Sequence, residues 1–346
     1  MGTKNVPQTL CCALVFLLCF HYVLYGMDGS RSLSTHGVMP QVQPYNYRSF
    51  SVGISSSRLE NAAANVTALL KEEDTRTVLI MFHALPKCGS RTLLTLAKMG
   101  EEFANGLLTV DANLTVLPRD MFYDEDFARE YILRHLERLS KPLFVYTHAR
   151  FVDLRKSLGK TRYVGLIRDP LSRLVSSYYY RRNRDGTELT EKEKLWRSTL
   201  TNLSNKTFDE CVQHNGTDCT GPFSMISTIA HFCGPDKRCS TNKTWALGRA
   251  KRNVVHYYDV IGIMEDYTSF VQVVEAKFSP AFSGATNNYI LLQNQPHGVV
   301  SMKTQKKVPP SEETQKIMTE RMQYDYQFYN FVKDRFYKQK QDLGLG

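Results

Sequence analysis

Two short segments of this chain carry the residue types that hold a phosphate-like anion. Val78-Leu-Ile-Met-Phe-His-Ala-Leu-Pro-Lys-Cys-Gly-Ser-Arg-Thr92 and Tyr163-Val-Gly-Leu-Ile-Arg-Asp-Pro-Leu-Ser-Arg-Leu-Val-Ser-Ser-Tyr178 each read as a buried strand, a polar turn and a helix. In the first turn Gly89 lets the backbone approach an anion and Lys87 supplies a mobile point charge. Ser90 and Thr92 add hydroxyls at a helix start, and Cys88 through Arg91 to Thr92 offers a row of backbone N–H groups. The second turn places Arg168 at a strand end, with Ser176 about two helical turns further on. A forked guanidinium and a hydroxyl suit a terminal phosphate. A surface Lys or Arg on an ordinary strand-turn-helix explains either segment alone; both together, in this order, make coincidence a poor account. Gly-x-x-x-x-Gly-Lys-Ser/Thr is absent and Lys87 precedes Gly89, which disfavours a nucleoside triphosphatase.

The elements that must position these turns predict an α/β fold with a central, mostly parallel sheet flanked by helices. Apolar runs place strands at 77–84, 143–147, 162–167 and 260–263, a helix at 267–278, and one long C-terminal helix over 315–341. The sites then gather at the carboxyl ends of the strands. Phe144-Val-Tyr-Thr-His148 is a further buried strand ending in an imidazole, which titrates near neutrality and suits a general base. That segment alone fits a structural histidine equally well. His83, His135, His214, His231, His256 and His297 read as structural or solvated.

At 346 residues the chain is long enough for one large catalytic domain, here 76–346. Residues 1–9 read as a short cytoplasmic tail, 10–27 as a signal anchor, and 28–75, rich in Ser, Gly, Asn and Gln, as a stem. A cleaved signal peptide is the rival reading of the apolar run, but no good small-x-small cleavage site follows it. The catalytic part would then be lumenal. Of eight cysteines, Cys11, Cys12 and Cys19 lie in the apolar run. Cys211 and Cys219, and Cys233 and Cys239, form two short loops whose separations allow local disulfides in an oxidising compartment; a zinc site lacks the usual spacing. Cys88 is the odd thiol, read as packing. No convincing metal-ligand cluster appears. Sequons at Asn65, Asn113, Asn202, Asn205, Asn215 and Asn242 suggest a glycoprotein. The formal net charge of +10 fits an acidic partner, and the lumenal features argue against nucleic acid.

Pro86-Lys-Cys-Gly-Ser-Arg-Thr92 resembles the 5′-phosphosulfate loop of sulfotransferases that use 3′-phosphoadenosine-5′-phosphosulfate (PAPS), and Arg168 with Ser176 resembles their 3′-phosphate site. Thr207-Phe-Asp-Glu-Cys211, the Phe232-Cys-Gly to Cys239 loop, Trp245-Ala to Ala250-Lys and Arg321-Met-Gln-Tyr-Asp-Tyr-Gln-Phe-Tyr329 extend the likeness to the uronyl 2-O-sulfotransferases of glycosaminoglycan synthesis. The Cys-Gly-Ser-Arg-Thr form and the tyrosine-rich end are most similar to the dermatan/chondroitin branch, with the insect Pipe proteins nearby.

This resemblance implies a P-loop-like PAPS-dependent sulfotransferase fold, while the anchor and the sequons together suggest a Golgi type II membrane glycoprotein. The resemblance also implies disulfides 211/219 and 233/239, His148 as catalytic base, and Lys87 as the residue that stabilises charge during in-line transfer. Residues 88–92, Arg168 and Ser176 would hold the donor, whose product is 3′,5′-phosphoadenosine. Tyr289, Lys303 and Lys306 would lie in a nucleotide-covering region. Arg181, Arg182 and Arg184 are where an anionic polysaccharide acceptor could run. The heparan sulfate enzyme carries a second histidine where this chain has Tyr146, so a two-histidine mechanism is doubtful. Heparan sulfate or a protein-linked glycan are rival acceptors, a non-catalytic glycosaminoglycan-binding module is the rival function, and a homo-oligomer is left open.

Overall fold

The computed structural model describes residues 79–100, 110–114, 117, 119–139, 144–158, 160–182, 206–220, 227–279, 281–295, 304 and 306–345. The expected tail, anchor and stem lie outside these, as do Lys303, Arg184 and the sequons at Asn65, Asn202 and Asn205. No described helix is long and apolar enough to cross a membrane.

Five strands form one sheet: β1 (Ile80–Ala84), β2 (Val110–Leu114), β3 (Phe144–Thr147), β4 (Arg162–Ile167) and β5 (Tyr258–Ile263). Their order is β2-β3-β1-β4-β5, and every pairing is parallel. Parallel strands need crossover connections that cover both faces, so β1 and β3 are buried throughout and read as continuous apolar runs. Phe82, fully buried, stabilises the core by about 2 kcal/mol. At Gly262 in β5, a Cβ would meet the Phe270 ring at 2.3 Å, so the absence of a side chain lets the following helix lie close on the sheet.

The helices are α1 (Ser90–Met99), α2 (Glu125–Leu136), α3 (Arg155–Leu158), α4 (Pro170–Arg182), α5 (Phe208–Gln213), α6 (Thr217–Thr220), α7 (Thr228–Cys233) and α8 (Arg238–Thr241). They continue as α9 (Lys243–Tyr257), α10 (Tyr267–Phe278), α11 (Ala285–Asn294), α12 (Glu312–Arg321) and α13 (Gln323–Asp342). Local chemistry sets several starts. Asp124 caps α2 by accepting from the Asp126 and Phe127 amides, Thr207 and Glu210 form a capping box on α5, and Asn242 caps α9.

The expected strands and the 267–278 helix are present, with β5 beginning two residues earlier, at Tyr258. Two differences have physical causes. β2, with Asp111 and Asn113 among its five residues, is an edge strand whose pattern did not read as buried. The expected single C-terminal helix is two, broken at Met322 (φ −103°, ψ 18°), because its two apolar stripes serve different cores. Met318 and Met322 pack with Leu174, Tyr178, Phe208 and the 211/219 disulfide, whereas Phe328, Val332 and Phe336 pack on the main core around the sheet.

The strand order makes the end of β1 a topological switch point, since β3 lies on one side and β4 on the other. His83 is level with Thr147 and Ala84 with Leu166. The residues that follow these strands therefore leave the sheet at one edge.

Candidate active site

The turn after β1 contains two left-handed residues, Lys87 (φ 69°) and Gly89 (φ 76°). Gly89 is required twice, by its φ and because a Cβ there would lie 3.0 Å from the Tyr267 ring. The Tyr267 hydroxyl donates to the Gly89 carbonyl at 3.1 Å, and the Thr92 amide donates to the same carbonyl at 3.0 Å, which starts α1. The first amides of a helix have no partner within it, so this start can receive an anion. Ser90 is buried, donates to the Leu85 carbonyl at 3.4 Å and bonds the Tyr146 hydroxyl. Thr92 is buried and bonds Tyr267. Arg91 faces solvent. Cys88 is fully buried, and burial pushes its thiol up to about 12, so it is packing and not a nucleophile.

Arg168 leaves β4 and donates to the Lys87 carbonyl at 3.3 Å. Both cations thus meet at one loop. Asp169 accepts from the Ser172 amide at 2.8 Å, and its own amide donates to Glu265 at 2.9 Å. Glu265 also accepts from the Tyr329 hydroxyl of α13 at 3.1 Å, which ties the C-terminal helix to the ends of β4 and β5. Buried Ser176 on α4 has its Oγ 3.1 Å from Thr304 Oγ1, so the 304 region reaches α4. Tyr289 is buried against Tyr267, ring centroids 5.0 Å apart, and through it touches the loop. Lys306 is exposed, with φ 52°.

His148 follows β3. Its Nδ1 is 2.7 Å from the Ala84 carbonyl, an acceptor only, so the neutral ring carries its proton on Nδ1 and offers Nε2 as a base. Burial lowers its pKa, partly opposed by the Ala84 contact. Nε2 is 3.4 Å from the Tyr146 hydroxyl. Burial pushes that phenol up to about 12, with the Ser90 bond acting the other way. Tyr146 is therefore a protonated neighbour where a second histidine would have been a second base.

Arg181 and Arg182 end α4 against the first disulfide loop. Arg181 donates to the Asp218 carbonyl at 2.7 Å, and Arg182 pairs with the Asp218 carboxylate and lies over the Tyr178 ring. Cys211–Cys219 and Cys233–Cys239 are disulfides. Asn215 and Asn242 are exposed; the Asn215 Oδ1 accepts from Arg321 at 3.0 Å and Asn242 caps α9. Asn113 is in β2. Tyr180, Thr304, Glu265 and Tyr267 were missed by sequence reasoning. Tyr180 sits beside Arg181 on α4 with nothing local to mark its contact with Lys87, and the other three reach the site from elements distant in the chain.

Residues 75–332, most of the chain, match the family described as the Sulfotransferase family. This chain belongs to the sulfotransferase family. The uronyl 2-sulfotransferases of Mus musculus and Homo sapiens are each 29% identical to this sulfotransferase over 271 residues, 77% of this chain. The match spans 64% of their length, less than two thirds. The heparin sulfate O-sulfotransferase of Drosophila melanogaster is 31% identical over 276 residues, 77% of this chain and 74% of that one. A retinol dehydratase crystallised with androsterone and inactive cofactor PAP aligns with 79% of this chain and 85% of its own, at 14% identity and a TM-score of 0.21, too low to define a shared fold.

Proposed function

We propose that this sulfotransferase moves a sulfuryl group from PAPS to the 2-hydroxyl of iduronic or glucuronic acid residues in dermatan or chondroitin sulfate. The observation that carries this reading is the meeting, at the ends of β1, β3 and β4, of an anion-receiving loop with Lys87, an Nε2 base on His148, and Arg168 bonded to the loop. The likeness to the uronyl 2-sulfotransferases supports the acceptor class.

The loop residues fit an anionic donor. Left-handed Gly89, the first amides of α1, Lys87 and Arg168 combine backbone donors with two cations. PAPS, when bound, supplies an activated sulfuryl group on a good leaving phosphate. Residues 88–92 hold the 5′-phosphate, and Arg168 with Ser176 holds the 3′-phosphate. Lys87 balances charge that develops on the leaving oxygen. His148 Nε2 takes the proton from the sugar hydroxyl, which is too weakly acidic to react unaided. Arg181, Arg182 and Arg184 contact the acidic polymer, the first two while also holding Asp218. The net charge of +10 favours that encounter. A Golgi lumenal location behind a type II anchor is part of this reading, supported by the two disulfides and by the exposure of Asn215 and Asn242.

The test is transfer of labelled sulfate from PAPS to desulfated dermatan, chondroitin and heparan, followed by disaccharide analysis. Label on a uronic acid 2-hydroxyl of dermatan or chondroitin is the expected result. Heparan is the second reading, favoured by the 31% identity to the Drosophila melanogaster heparin sulfate O-sulfotransferase, and label there alone would shift the acceptor. No transfer to any of the three, with the polymers still bound, would leave a binding module.

A further inference from the structure

The Lys87 ammonium lies 3.7 Å from the centroid of the Tyr180 ring. Lys87 is in the loop after β1 and Tyr180 in the last turns of α4, so the contact is made across elements separated by the sheet's own crossovers. It concerns the one side chain of the loop whose charge and position the transfer depends on. A lysine stem has several rotatable bonds, and holding it in one place costs rotamer freedom. A ring face restrains the ammonium while leaving its charge unneutralised, which a carboxylate in the same position would not.

The ring is itself well placed to act as a fixed support. Next to it, Arg181 donates to the Asp218 carbonyl at 2.7 Å, and Arg182 pairs with the Asp218 carboxylate. Asp218 lies inside the loop closed by Cys211–Cys219. Tyr178 and Tyr179 on the same turns are buried in the small core that contains this disulfide. The end of α4 is therefore anchored on both sides of Tyr180. On the other side of the contact, the Lys87 backbone is held in its left-handed conformation with its carbonyl accepting from Arg168 at 3.3 Å.

We propose that Tyr180 is a positioning residue for the sulfuryl-transfer step: its ring face holds the Lys87 ammonium charged and in place until an oxygen of the phosphosulfate takes over the cation. This rests on the sulfuryl-transfer reading above. The ring hydroxyl has no part in it; the π face does.

The experiment uses the full chain with Tyr180→Phe, Tyr180→Leu, and a series in which phenylalanine at 180 is progressively fluorinated to weaken the ring's negative face at nearly constant shape. Sulfate transfer gives kcat and KM for PAPS, and calorimetry gives affinity for 3′,5′-phosphoadenosine, which lacks the sulfuryl group. Tyr180→Phe should stay within about twofold of wild type, while Tyr180→Leu should lose about 3- to 30-fold in kcat/KM, the range of a partly desolvated cation–π contact. The fluorinated series should fall in graded steps, with nucleotide affinity unchanged. A purely structural tyrosine would not follow the fluorination order. A flat series, or equal losses in Phe and Leu variants, overturns the assignment even while wild-type transfer stands. If Tyr180→Leu fails to fold, the fluorinated series decides alone, since its members keep the ring. Wild type that neither binds the nucleotide nor transfers sulfate sinks the underlying reading and this inference together.

Discussion

Because Nδ1 of His148 is 2.7 Å from a backbone carbonyl, the neutral ring has one arrangement of its proton and its Nε2 can only accept. Replacing His148 by Ala should lower kcat by roughly 10² to 10⁴ fold, the usual worth of a general base, with affinity for 3′,5′-phosphoadenosine unchanged by calorimetry. The pH dependence has a definite sign. As the proposed base, His148 works while neutral, and burial depresses its pKa, so the rate should hold through the ordinary histidine range near about 6.5 and fall only at more acidic pH. An acid limb above that range would point to a different base. Arg168 answers to another measurement. Arg168→Ala should weaken nucleotide binding by about 1.5 to 3 kcal/mol, the loss of a charge-assisted contact. Undiminished affinity would mean that the 3′-phosphate lies elsewhere.

In the last turn of α4, Arg181 donates to the Asp218 carbonyl and Arg182 pairs with the Asp218 carboxylate. Arg182 is largely buried beside it, and burial pulls its pKa down to about 10. Asp218→Ala removes that carboxylate from beside the Arg182 guanidinium. The expected cost is about 1 to 3 kcal/mol in urea unfolding, below the full penalty for a buried pair because Asp218 is partly exposed. If Tyr180 supports Lys87 as proposed, the same substitution should also lower sulfate transfer, since it loosens the turn that carries the ring. A stability loss with transfer unaffected would separate the two roles. The break between α12 and α13 is a second case in which an element answers to two cores. Met318 and Met322 face the disulfide cluster and Phe328 onward faces the sheet.

Acid should destabilise the whole domain through two histidines that the proposed chemistry does not use. His83 and His231 are buried, their ring centroids 6.4 Å apart, and neither Nε2 has a hydrogen-bond partner among the described residues. Burial lowers the pKa of His83 to about 3 and that of His231 well below its usual value, with the charge of His83 adding to the latter. Both are therefore neutral in the folded chain at pH values where the unfolded chain protonates them. Folding stability is fully present above the unfolded value near 6.5 and is lost as pH falls from there toward about 3, by about 1.4 kcal/mol per pH unit for each histidine. Urea unfolding at pH 7, 6 and 5 should show that slope, and His83→Phe should reduce it to the part due to His231. A stability curve flat between pH 7 and 5 would contradict the burial of both rings as neutral groups.

Much of the fold was legible because local patterns report local physics. Mostly apolar runs marked β1, β3, β4 and β5, since strands buried on both faces carry few polar residues. Lys87, Gly89, Ser90, Arg168 and His148 were visible as turn and strand-end residues of the right chemistry. β2 was not, because an edge strand with Asp111 and Asn113 has no such pattern. What tertiary structure alone decided is who meets whom. The order β2-β3-β1-β4-β5 brings His148 to the Ala84 carbonyl and Arg168 to the Lys87 carbonyl. The return of α4 onto the 211/219 loop engages Arg181 and Arg182 with Asp218 and sets Tyr180 over Lys87. Residue types fix burial and turn geometry within a few positions, whereas these contacts come from packing between segments tens of residues apart, whose pairing no local propensity encodes.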